Sequence, residues 1–83
     1  MDVRLLVTKG CTSCQEAERV WDALARERDF PFTVVQTETP EAARLTGDTA
    51  LETFPALFID GRLRAIGVQN KEQALALIHG QTP

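Results

Sequence analysis

The residues with chemistry to offer are Cys11-Thr12-Ser13-Cys14, which contain the only two cysteines of the chain. Two thiols at this spacing can close on each other, exchange with another disulfide or hold a soft metal. They follow an apolar run, Val3 to Val7, and open a helical pattern. A helix start has unpaired N–H groups and the positive end of its dipole, and both favour a thiolate over a thiol. The thiolate is the species that attacks a disulfide, and a free thiol is only ~3% ionised at pH 7. Cys11, nearest the helix start, is therefore the expected attacking thiolate. Cys14, one turn further in, is the expected resolving thiol. The Thr12 and Ser13 N–H groups supply part of the bias toward thiolate. Lys9, two residues before Cys11, supplies more positive charge or is simply a solvated loop lysine. The competing chemistry is soft-metal binding or carriage, of zinc or copper. Zinc wants four ligands, and this chain offers two cysteines and His79 unless two copies share the ion.

The elements that must position this pair follow from periodicity. Val3–Val7, with Arg4 its one polar member, reads as a buried strand. From Thr12 to about Arg28, Cys14, Ala17, Val20, Trp21, Leu24 and Ala25 recur at helical spacing among charged residues, an amphipathic helix with Trp21 on its core face. Its charges, Glu18 among them, read as a solvated face. Asp29-Phe30-Pro31 breaks it, and Phe32–Val35 is the second strand. Thr39-Pro40-Glu41 carries a cap, a first-turn proline and an acid, predicting a helix to about Thr46 with Gly47 as its stop. Residues 48–53 read as a partly helical loop. Ala56–Ile59 and Arg62–Ile66 are strands joined by the tight Asp60-Gly61 turn, with Leu63 and Ala65 expected on one face of the last strand and Arg62 and Arg64 on the other. Asn70-Lys71-Glu72-Gln73 is a capping box that starts a terminal helix, near whose end His79 suits the dipole. The order β-α-β-α-β-β-α implies a parallel first pair by a right-handed crossover and a closing hairpin. The product is a four-stranded mixed sheet with helices on both faces.

At 83 residues the chain reads as one small domain, 1–83, with little more than ~60% of its surface buried on folding. Hydrophobic residues make up 43%, enough for one core. A net charge of −3 lacks the basic stripe that nucleic acid requires. No apolar run approaches the ~20 residues of a membrane span, and strand-like sequence begins almost at Met1, so no membrane partner and a cytoplasmic location are expected. In a reducing cytosol a C-x-x-C pair is catalytic, redox-sensing or metal-binding more often than a structural staple.

The C-x-x-C at the first helix, Thr53-Phe54-Pro55 before a strand, and the closing Gly67 together resemble the thioredoxin superfamily. Among its members the chain is most similar to glutaredoxins and small glutaredoxin-like thioredoxins, over essentially its whole length. The resemblance implies a thioredoxin-like fold and a thiol–disulfide oxidoreductase. It also implies that Pro55 is cis and lies beside Cys11 and Cys14. The backbone of Phe54 would then face the dithiol and pair with extended substrates. Lys9, Thr12, Ser13, Thr53, Phe54, Pro55 and Gly67 are the substrate-contact residues it implies. Partners would be protein or small-molecule disulfides and a reductant, either glutathione or a flavin-dependent reductase, with no cofactor. Three departures are specific. No aromatic lies between the cysteines, and Gly67-Val68-Gln69-Asn70 stands where glutaredoxins carry a Gly-Gly…Asp segment, which points away from a dedicated glutathione site. Leu5 and Leu6 occupy the strand where thioredoxins bury an acid.

Overall fold

The computed structural model describes residues 1–47 and 53–79. The elements appear in the expected order: β1 (Val3–Val7), α1 (Thr12–Arg28), β2 (Phe32–Gln36), α2 (Pro40–Thr46), β3 (Ala56–Ile59), β4 (Arg62–Ile66) and α3 (Lys71–His79). The second strand runs one residue further than its apolar pattern, because Gln36 still pairs with Val7. Residues 48–52, and with them most of the expected partly helical loop, lie outside the described residues.

The four strands form one sheet in the order β2-β1-β3-β4. β1 pairs parallel with β2, Val3 opposite Phe32 and Val7 opposite Gln36. It pairs antiparallel with β3, Val3 opposite Ile59 and Leu6 opposite Ala56. These two central strands are buried on both faces, which is why they read as unbroken apolar runs rather than as alternation. Arg4 is the exception. Half exposed, it reaches Asp2 at 3.0 Å and Glu41 of α2 at 2.7 Å.

Helices cover both faces. On one, Val3, Leu5, Val7, Leu57 and Ile59 pack with Cys14, Ala17, Trp21 and Leu24 of α1 and Ala74 of α3. Trp21 is fully buried and meets Phe30 edge-to-face at 6.5 Å. Burying a leucine such as Leu24 contributes about 1.5–3 kcal/mol, so the four-residue stripe of α1 is enough to dock it. On the other face Leu6, Val35, Ala56 and Phe58 pack with Ala42 of α2.

The helix ends follow the cap chemistry. Thr39 Oγ1 accepts from the Ala42 N–H at 3.1 Å and donates to the Gln36 carbonyl at 2.8 Å. Asn70 and Gln73 exchange reciprocal bonds of 2.8 and 3.0 Å. The hairpin turn places Asp60 at φ 51° and Gly61 at φ 81°, the doubly left-handed pair of a type I′ turn.

One expectation is corrected. Leu63 pairs with Phe58 but Ala65 pairs with Leu57, so Arg64 is an extra residue, a β-bulge. Adjacent residues of β3 point to opposite faces, so Leu63 and Ala65 do too. Ala65 packs with the α1 face, and Leu63 is 41% exposed. Strict alternation fails here because one inserted residue shifts the register by one.

Candidate active site

The dithiol sits where β1 hands the chain to α1. Cys11 is the N-cap of α1, with extended backbone (φ −103°, ψ 105°). Its Sγ accepts the Cys14 N–H at 3.1 Å. A sulfur thus fills the place that a Ser or Asp oxygen fills in most caps, and satisfies one of the unpaired donors of the first turn. That turn carries no acidic side chain to oppose a negative charge. Cys11 and Cys14 are joined by a disulfide with Cα atoms 5.2 Å apart. Cys14 is buried at 3% exposure, whereas Cys11 is half-buried. One helical turn separates the two, with Cys14 inside the core and Cys11 partly buried against it.

An open groove of about 260 Å³ borders both cysteines, lined also by Lys9, Gln15, Glu18 and Gln36. Lys9 therefore shares the groove with the pair. Gln15, Glu18 and Gln36 do so without having been singled out from sequence. Gln15 and Glu18 lie four residues after Cys11 and Cys14, the helical spacing that places side chains on one face, and this is the signal that finds them. Gln36 comes from the end of β2, 22 residues past Cys14, and no local pattern announces it.

Thr12 and Ser13 are exposed on the first turn of α1. The Phe54–Pro55 bond, just before β3, is cis. Pro55 is fully buried and Thr53 is exposed. Phe54 packs against both core clusters, including the one that holds Cys14, and Cys11 packs against that same cluster. Gly67 donates its N–H to the Pro55 carbonyl at 2.8 Å, which brings these two predicted residues together. The structure thus brings Lys9 together with the pair in one groove, and Pro55 together with Gly67 through a backbone bond.

Trp21 is packing, and His79 is exposed in the last turn of α3. Among the described residues no group of three or more His, Cys, Asp or Glu is placed to hold a metal ion. None of the described helices is long and apolar enough to cross a membrane.

Two solution structures of Escherichia coli glutaredoxin share this arrangement of elements. The reduced form superposes with a TM-score of 0.60 at 22% identity, covering 98% of this chain and 96% of that one. The oxidised form gives 0.57 at 22%, covering 99% and 98%. At this identity the likeness is one of fold. No curated protein sequence matches the chain. The thioredoxin domain profile matches residues 1–79, which include the cysteine pair, the cis proline and all seven elements. By that match the chain belongs to the thioredoxin domain family.

Proposed function

We propose that this protein is a thiol–disulfide oxidoreductase in which Cys11 attacks and Cys14 resolves. The observation that carries the reading is the Cys11 sulfur at the N-cap of α1, accepting the Cys14 N–H, in a chain of the thioredoxin family. An anion at that position is stabilised by the bond and by the helix dipole, and a charge-assisted bond is roughly twice as strong as a neutral one.

The Cys11 thiolate attacks one sulfur of a substrate disulfide. A Cys11–substrate bond forms as the substrate S–S bond breaks, and the departing thiolate takes a proton from water. The Cys14 thiolate, its proton lost to solvent, then attacks Cys11 Sγ. The Cys11–Cys14 bond forms and the second substrate thiolate leaves. Two electrons have passed to the substrate, and the protein is left as the disulfide. Its return to the dithiol needs two electrons from glutathione or a flavin-dependent reductase.

Lys9, Thr12, Ser13, Thr53, Phe54, Pro55 and Gly67 are the contacts we assign to substrate. The cis Phe54–Pro55 bond, immediately before β3, supports a backbone at Phe54 that pairs with a polypeptide strand. Glutathione is a weak partner in this reading, since Val68-Gln69-Asn70 follows Gly67 and no aromatic separates the cysteines. The net charge of −3 supports a reading without nucleic-acid partners, and a cytoplasmic location without a membrane partner is carried as part of the same proposal.

The test is trapping. Cys14→Ser should attack but not resolve, and accumulate mixed disulfides through Cys11 when challenged with a disulfide-bonded protein. Cys11→Ser should accumulate none and be inactive. Adducts mapped to Cys14, or turnover that survives Cys11→Ser, would overturn the assignment.

A further inference from the structure

Gln69 is the one buried polar side chain among the described residues, at 7% exposure. Its amide is used at both ends. Oε1 accepts the Trp21 indole N–H at 3.2 Å, and Nε2 donates to the Gly67 carbonyl at 3.0 Å. Gly67, at φ +90°, in turn donates to the Pro55 carbonyl. A Cβ at Gly67 would meet nothing within 4 Å, so the glycine answers to backbone conformation and not to space. Trp21 lies seven residues after Cys14, two turns along the same buried face of α1. Three hydrogen bonds therefore run from the helix that bears the dithiol to the loop that carries Pro55.

The amide is chemically specific for this bridge. It must accept from an indole and donate to a carbonyl without bringing a charge into the core. A carboxylate would face the Gly67 carbonyl with a second acceptor. An apolar side chain would leave both the indole N–H and the carbonyl unpaired.

We propose that Gln69 is a positioning residue: it holds Gly67, and through Gly67 the Phe54–Pro55 wall, at a fixed distance from Cys11, so that an extended polypeptide carrying a disulfide docks in register with the attacking sulfur. The proposal rests on the exchange function above and names polypeptide segments as the substrate class served. Phe54 is partly buried against the same core cluster as Trp21, and Val68, between Gly67 and Gln69 in sequence, is 40% exposed. Gln69 takes no part in bond exchange, so it governs docking and not the reactivity of Cys11.

The experiment measures three rates on the full chain. These are turnover of a fluorogenic extended peptide disulfide, turnover of 2-hydroxyethyl disulfide, and alkylation of reduced Cys11 by iodoacetamide, with dithiothreitol as reductant. Gln69→Met keeps the length and removes both bonds. It should raise KM for the peptide about tenfold, the equivalent of one to two net hydrogen bonds. Its kcat, the small-disulfide rate and the alkylation rate should stay within about twofold of wild type, since none of them needs the wall. Should Gln69→Met not fold, Gln69→Asn keeps an amide one methylene too short to span both partners and carries the same expectation. An unchanged peptide KM in an active wild-type background would overturn the positioning role while leaving exchange intact. An equal loss in all three rates would make Gln69 merely structural and overturn it too. A wild type that reduces neither disulfide overturns the exchange function itself, and the proposal with it.

Discussion

Cys11 has two duties, cap and nucleophile, and substitution separates them. The perturbation is Cys11→Ala against Cys11→Ser, both compared with the reduced wild type so that loss of the disulfide does not enter. In the structure one backbone donor, the Cys14 N–H, sits 3.1 Å from the Cys11 sulfur. Alanine leaves that donor without its cap. The loss of an N-cap costs about 1 kcal/mol, within a range of about 0.5–2. Serine is among the preferred caps, and its oxygen can take the same N–H, so its cost should be near zero. In a domain of this size 1 kcal/mol lowers Tm by roughly 4–8 °C, and moves a urea midpoint by up to about 1 M. Thermal and urea unfolding in dithiothreitol, followed by circular dichroism, should place Cys11→Ser with the wild type and Cys11→Ala below it. Both variants should be devoid of disulfide exchange. Equal destabilisation of the two would show that the sulfur does not cap the helix. Exchange activity in Cys11→Ser would show that it is not the nucleophile.

Three further outcomes are expected. Leu57→Ala, at a fully buried position, should cost about 2–5 kcal/mol, whereas Leu63→Ala, turned outward by the bulge, should stay within about 0.5, as read by urea unfolding. Thr39→Ala should lower stability by about 1 kcal/mol through the cap of α2 and leave the alkylation rate of Cys11 unchanged. A glutathione mixed disulfide should be turned over slowly and without saturation at low concentration in a steady-state assay, and saturable turnover would restore a dedicated glutathione site.

Much of this was legible in the chain because its local signals agree with its fold. The strand, loop and C-x-x-C helix were readable from Val3 to Arg28. The caps at Thr39 and Asn70 and the turn at Asp60-Gly61 were readable from short-range chemistry that the structure repeats bond for bond. What escaped were features set by partners distant in sequence. The bulge at Arg64 needs the register of β3, and no residue of Arg62–Ile66 advertises it. Gln69 was read only as a departure from a family segment, since its bond to Trp21 spans 48 residues. Gln36 joins the groove from the end of β2, and no pattern near Cys11 or Cys14 points to it. In each case the missing information was a tertiary neighbour.

The central place of β1 has a consequence for synthesis on the ribosome. β1 has two partners, and they emerge at different times: β2 is complete at Gln36, while β3 is complete only at Ile59. At about 5–20 residues per second, those roughly 23 residues take on the order of 1–5 s. During that interval the nascent chain can hold β1, α1 and β2, yet one edge of β1 stays open. Both cysteines already stand at the head of α1, while Pro55 arrives only near the end of the interval and Gly67 and Gln69 after it. The emerging protein therefore has its redox pair before it has the wall that selects what the pair meets.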